Sequence, residues 1–280
     1  MKIVSWNVNG LRSGNIIMKT KYSHKIKTIS EMEHGTNINK LITDYKPDII
    51  CLQETKCSED IYSKIENDIY PYKYWCCSMK EGVRSASRYS GVSIWSKYPG
   101  QKIISEELNE LNIEGRICMI NFNNFILINV YVPNSGTNVE YRNNIWEPTI
   151  HKILSRNIGN SDKQIIYCGD LNVIPTDNDI WDKKIYKKAI KPGCLIMERD
   201  HLNVLFELGY IDIFRAIYPI KTEYSWWSMR TNAREVNKGW RLDYFLIHKN
   251  IMKKEVISNI QYLSNIMGSD HCPLLLDIKI

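Results

Sequence analysis

The chain has 280 residues, 44% of them hydrophobic, and a formal charge of +6 from 37 basic and 31 acidic side chains. That apolar content can bury a sizeable core, and with no Pro/Gly/Ser-rich linker the whole of residues 1–280 reads as one domain. No apolar run approaches the ~20 residues of a membrane span and no signal-peptide pattern opens the chain, so a soluble protein of a reducing compartment is expected, with nucleus, cytoplasm, organelle or virus left open.

KIVSWNV opens the chain as a strand, and the polar, lysine-rich residues 13–35 form an expected surface insertion. NINKLITDYK (37–46) has apolar residues at helical spacing, whereas DIICLQE (48–54) and GVSIWS (91–96) read as strands. RICMINF and FILINVYV flank Asn123 and Asn124 as a hairpin. VEYRNNIWEPTIHKIL (139–154) is helical, QIIYCGD (164–170) is a strand, and ERDHLNVLFELG (198–209) is a helix stopped by Gly209. TEYSWW (222–227), LDYFLIH (242–248) and PLLLDIKI (273–280) complete the strands. Hairpins mixed among helices argue against a purely parallel doubly wound sheet. They favour an α/β four-layered sandwich, with two mixed, largely antiparallel β-sheets packed face to face and flanked by helices.

Eight cysteines show no CxxC pair or other zinc spacing, and those in IICLQ and IIYCG read as small buried hydrophobes. The adjacent Cys76 and Cys77 read as packing before redox chemistry. Lysine and arginine collect at 19–27, 80–88 and 182–188, where a solvated face and a phosphate contact are both open readings.

The informative polar residues stand at the ends of the apolar runs: Asn7 and Asn9 after IVSW, Glu54 after IICLQ, Asn134 after NVYVP, Asp170 and Asn172 around IIYCG, and Asp270 with His271 before the last strand. Singly, each has an ordinary reading: a solvated strand end, a turn cap, a surface histidine. Together, at the termini of rigid strands, they are placed to converge in one pocket. A glutamate, several Asp and Asn and one His without cysteine partners suit a hard divalent cation such as magnesium, which is often held by one or two carboxylates plus substrate phosphate. An Asp that orients water and a carboxylate-supported His at a phosphoryl oxygen would then suit phosphodiester hydrolysis.

WNVNGLR (6–12), LQETKCSE (52–59), YSGVSIWS (89–96), YVPNSG (131–136), GDLNV (169–173), GWRLDYFLIH (239–248) and GSDHCP (268–273) resemble, in order, the motif series of the exonuclease III family of abasic-site endonucleases, within the endonuclease/exonuclease/phosphatase superfamily. The resemblance covers essentially the whole chain. It implies a DNA repair nuclease that cleaves the phosphodiester 5′ to an abasic site in duplex DNA, with accompanying 3′–5′ exonuclease or 3′-phosphodiesterase activity. Implied with it are Mg2+, with Mn2+ as substitute, and a monomer working away from membranes. It implies Glu54, Asn9 and Asp270 around the metal, and Tyr131, Asp170, Asn172, Asp243 and His271 as catalytic groups, with Asp243 supporting His271. Asn7, Arg12, Lys56, Tyr89, Asn134 and Arg230 would contact the substrate, and Trp226, Trp240 and Leu242 would accept a flipped-out, base-free sugar. The chain departs from the pattern after YVPNSG, where TNVEYR is short and lacks an arginine that some relatives insert into the major groove. Other readings are a phosphatase or sphingomyelinase of the same superfamily, disfavoured by the aromatic pocket, and a catalytically silent nucleic-acid-binding module.

Overall fold

Nearly uninterrupted apolar runs build the inner strands, because strands buried on both faces have no solvent side to alternate toward. In the computed structural model, which describes residues 1–11, 37–62, 68–79, 89–160, 163–249 and 256–280, β1 (Lys2–Asn7), β2 (Ile49–Gln53), β3 (Tyr72–Cys76) and β4 (Val92–Ser96) contribute to one sheet. The other sheet contains β5 (Gln101–Lys102), β6 (Ile117–Asn121), β7 (Phe125–Tyr131), β8 (Gln164–Asp170), β9 (Tyr210–Asp212) and β10 (Asp243–His248). β11 (Ile257–Tyr262) and β12 (Leu274–Ile278) return to the first sheet. The orders are β11-β12-β1-β2-β4-β3 and β5-β6-β7-β8-β10-β9. Among the described residues only β1/β2 and β7/β8 are parallel; the other pairs are antiparallel.

The sheets pack face to face through Ile3, Ile49, Cys51 and Ile94 on one side and Ile120, Leu127, Ile166 and Phe245 on the other. At that interface Gln53 Nε2 donates to Asn129 Oδ1 at 2.6 Å, and Asn129 Nδ2 donates to the carbonyls of Leu52 and Ser93. This buried polar stitch holds one sheet in register on the other, since any slip would strand its amides without partners. α1 (Ile38–Tyr45) covers the outer face of the first sheet, with Ile38, Leu41 and Ile42 against Val4, Ile50 and Leu52. Two short helices follow in the chain, α2 (Glu59–Tyr62) and α3 (Glu106–Leu111). The second sheet is covered by a helical stretch made of α4 (Ser135–Tyr141), a π-helical turn (Arg142–Trp146) and α5 (Glu147–Asn160), and by a later helix. The remaining helices are α6 (Lys183–Lys188), α7 (Ile196–Glu207), which packs Leu202 and Leu205 on that sheet, and α8 (Ile213–Ile217). The result is the expected α/β sandwich of helices, two mixed sheets and helices. No helix among the described residues is long and apolar enough to cross a membrane.

One expectation is corrected, and two strands are new. TEYSWW forms no ladder: Trp226 makes only isolated bridges to Trp240 and His271. Ser225 explains this, because its Oγ accepts from the N–H groups of Leu242 and Asp243, so the segment crosses the end of β10 instead of running beside it. β3 and β11, half-exposed and mixed in polarity, are strands that alternation did not single out. The insertion at 13–35 and the basic stretches at 19–27 and 80–88 lie outside the described residues.

Candidate active site

The carboxyl ends of the two parallel strand pairs meet at one edge of the sandwich. In the first sheet Asn7 stands opposite Gln53, one residue before Glu54; in the second, Tyr131 stands opposite Asp170, which in turn stands opposite Asp243. Register partners project to the same face of a sheet, so Asp170 and Asp243 are brought side by side. Gly169 allows β8 to approach β7 this closely: at its φ of +139° a Cβ would fall 1.9 Å from the Val130 carbonyl oxygen. The GSDHCP turn closes over the same edge, with Ser269 Oγ donating to the Asn7 carbonyl at 2.7 Å and Trp6 Nε1 to the His271 carbonyl at 3.1 Å.

Hydrogen bonds join these groups. Asn7 Nδ2 donates to Glu54 Oε1 and to Asp170 Oδ2, both at 2.9 Å, so one amide holds two carboxylates from different sheets. Asp170 Oδ1 accepts the Asn172 N–H at 3.0 Å, and Asn172 Nδ2 donates to the Val132 carbonyl at 2.9 Å. Asn134 caps α4 through the Gly136 N–H and donates to Asn172 Oδ1 at 3.2 Å. His271 Nδ1 lies 2.8 Å from Asp243 Oδ2, and its Nε2 lies 3.7 Å from Asp170 Oδ2. Asn9, Glu54, Lys56 and Asn172 all have φ near +50°, a conformation that costs a non-glycine residue energy and persists where the surroundings impose it. Here the strained backbone aims polar heads into one space.

Burial and charge set the protonation states. Burial pushes Asp170 up to about 7, an effect that nearby Asp243 and Glu54 reinforce and that His271 and Asn7 oppose. Burial works against the charge on His271, but Asp243 and Asp170 outweigh it and raise the imidazole to about 10. Glu54 is also buried, yet the Lys56 ammonium and the Asn7 amide hold it below the usual carboxylate range. Burial and the Glu54 charge push Tyr131 far upward, so its hydroxyl keeps its proton. Neutral pH therefore finds a protonated His271 between two acids that share its charge.

Two oxygen-rich groups invite a cation. Asp170, Asp243 and His271 bring ligand atoms within 4.8 Å of one another, but the His271–Asp243 hydrogen bond already uses these atoms, and the arrangement fits proton handling better. The other group fits a hard cation: Lys56 Nζ stands 2.9 Å from Glu54 Oε2 and donates to Asn9 Oδ1 at 2.5 Å, placing positive charge between a carboxylate and an amide oxygen. Asp270 lines the adjoining cleft, with Oδ2 accepting Trp226 Nε1 at 3.0 Å.

That cleft has a volume of about 550 Å3 and is lined by Glu54, Tyr131, Asp170 and His271 together with the apolar side chains of Trp226, Trp240 and Leu242. The two tryptophan rings meet edge to face at 5.5 Å. Asn134 and Asn172 also line it. Of the remaining candidates, Tyr89 is exposed at the surface and accepts from Arg116 at 2.9 Å. Arg230 sits on the exposed turn Met229–Thr231 and does not line the cleft, and Arg12 lies outside the described residues.

Two buried arginines escaped the sequence reading because nothing in their local context marks them. Arg116 donates to Glu114, to the Tyr131 carbonyl and to Tyr89, with its guanidinium 4.5 Å from the Tyr131 ring centroid, and so fixes that ring at the cleft. Arg142, brought inward by the π-helical turn, binds Glu147 and Glu198 at 3.0 Å each and donates to the carbonyls of Leu171 and Asn172. Its guanidinium thereby clamps the loop after β8. Replacing Arg142 with Ala leaves two buried carboxylates uncompensated, and urea denaturation is expected to show a loss of ~3–5 kcal/mol; a loss under 1 kcal/mol would contradict the clamp.

Known proteins of similar sequence and fold identify the family. The chain is 35% identical over 285 residues to an exodeoxyribonuclease of Bacillus subtilis, with 100% of both chains covered. It is 34% identical over 283 residues to a DNA-(apurinic or apyrimidinic site) endonuclease of Dictyostelium discoideum, covering 98% of this chain and 69% of that one. The crystal structure of the AP endonuclease LMAP from Leishmania major superposes with a TM-score of 0.78 at 26% identity, over 100% of this chain and 87% of that one. Residues 4–271 match the endonuclease/exonuclease/phosphatase family, and the chain belongs to it.

Proposed function

We propose that the chain is a Mg2+-dependent endonuclease that hydrolyses the phosphodiester 5′ to an abasic site in duplex DNA. The observation that carries this reading is that one cleft is lined both by the hydrolytic groups and by the apolar Trp226, Trp240 and Leu242. A base-free sugar has little to stack or pair in the duplex, so extruding it costs little, and a pocket walled by two indoles excludes a sugar that still carries its base.

In the reaction Asp170 accepts a proton from the attacking water, which adds to phosphorus while the bond to the 3′ oxygen breaks. Asn172 and Asn134 orient the phosphate. Tyr131, held in its protonated form by burial, donates to a phosphoryl oxygen, as does the His271 imidazolium, which Asp243 keeps charged. The products are a 3′-hydroxyl and a 5′-deoxyribose phosphate, the proton taken by Asp170 balancing the one that the leaving oxygen gains. Glu54, Asn9 and Asp270 would hold the cation, which when bound neutralises charge on the phosphate and the leaving oxygen; Mn2+ would serve in its place. Lys56 would then give up its place beside Glu54 and face the DNA backbone.

The test is incision of an oligonucleotide duplex with one abasic site, with and without Mg2+. Cleavage 5′ to the site that requires the metal is expected. Since even the partners of a metal ligand are worth ~10–100-fold in affinity, Glu54→Gln should raise the Mg2+ concentration needed by at least that factor. Metal-independent incision, or normal incision by Glu54→Gln, would overturn the reading.

A further inference from the structure

Trp181 is an aromatic side chain at the cleft whose position neither the hydrolytic groups nor the sugar pocket explains. The residue is 41% exposed yet lines the same cleft as Trp226 and Trp240. Lys238 Nζ stands 4.9 Å from the ring centroid, and Lys238 and Lys191 also line the cleft. The backbone beneath is rigid: Ile180 bridges Trp240, the Trp181 N–H donates to the Gly239 carbonyl at 3.0 Å, and Asp179 is buried against Arg241 at 2.6 Å and against Arg215. An indole held open to solvent on a rigid support, with ammonium groups beside it, has the chemistry of a surface that stacks a nucleobase while cations meet the phosphates.

We propose that Trp181, with Lys238 beside it, is a stacking platform for a nucleobase adjacent to the sugar pocket in the strand being cut. A missing base uncovers one face of its neighbour, and Trp181 supplies the plane that the duplex has lost. The inference rests on the reading of the cleft as a DNA-strand site and adds to it a residue that senses the flanking base. It lies outside the Trp226–Trp240–Leu242 pocket, and it predicts that the protein grips bases as well as phosphates.

Two single strands of equal length and charge separate stacking from electrostatics: oligodeoxythymidylate, and an oligonucleotide in which every position is abasic. Binding is followed by fluorescence anisotropy without divalent metal. Because stacking one base on an aromatic side chain changes affinity by about 5- to 150-fold, Trp181→Ala should lose that factor on oligodeoxythymidylate and nothing on the base-free strand. Trp181→Phe should recover most of it. Equal losses on both strands, no loss on either, or failure of the wild type to bind oligodeoxythymidylate would overturn the proposal. A parallel incision assay on the abasic duplex keeps the two readings apart. Base-dependent binding without incision upholds the platform and refutes the nuclease assignment, whereas incision without base-dependent loss refutes the platform alone.

Discussion

Asp170→Asn lowers kcat for abasic-site incision by ~10²–10⁴ and leaves KM nearly unchanged, because a general base contributes about that much and the substitution leaves the cleft's shape intact. The carboxylate has little freedom: Oδ1 accepts the Asn172 N–H and Oδ2 accepts the Asn7 amide while facing His271. An amide in its place turns an N–H toward one of these donors and cannot take a proton from water. Single-turnover kinetics with enzyme in excess isolates the step, and a kcat within tenfold of wild type would remove Asp170 from the role of base. Because burial sets Asp170 at about 7, wild-type kcat should rise with pH through that value. The Asp170→Asn variant should lose this rising limb.

Asp243→Asn produces the second large effect. Asp243 is the strongest of the charges that raise His271 to about 10, and its Oδ1 is buried without a hydrogen-bond partner among the described residues, so the carboxylate depends on the imidazolium as much as the reverse. Removing that charge releases the His271 proton near neutrality, and the loss of one positioned donor to a developing phosphoryl charge costs ~10²–10³ in kcat at pH 8. The alkaline limb of the profile should move from about 10 toward the ordinary 6.5 of histidine. Stability should follow the same window. A raised imidazole stabilises the fold fully below 6.5 and loses that contribution as pH rises through about 10, so the deficit of the variant is largest at the low end and fades at the high end. Urea titrations at several pH values measure this. An unmoved alkaline limb would show that His271 is not the group titrating there.

Much of this was legible before any coordinates because chemistry and fold used the same landmarks. Apolar runs such as IICLQ and IIYCG marked the inner strands, and the polar residue at the end of each is where a buried strand reaches the surface, so Glu54 and Asp170 announced their position together with their strand. The partnership of His271 with Asp243 was less visible: twenty-eight positions separate them, adjacency favoured Asp270, and only the motif comparison pointed to Asp243. Arg116 and Arg142 were silent because an arginine near a glutamate, such as Glu114 or Glu147, reads as an ordinary surface ion pair, and nothing local signals its burial. Glu198, the second carboxylate on Arg142, lies fifty-six positions on, beyond α5, β8 and α6. Trp181 stands just before the basic stretch at 182–188, and nothing in its local sequence marks it. TEYSWW misled because its aromatic and β-branched composition is that of a strand, while Ser225 spends the hydrogen bonds that pairing would need.

Asn7 holds Glu54 from its own sheet and Asp170 from the facing one, and His271 returns from the first sheet to meet Asp243 of the second. Neither half of the sandwich therefore owns a complete site. A folding intermediate in which each sheet has formed but the two have not docked is chemically silent, and so is a growing chain until position 271 has joined the rest. For an enzyme that cuts DNA this arrangement is a safeguard: the power to break a backbone arrives only with the complete native structure, and departs with it.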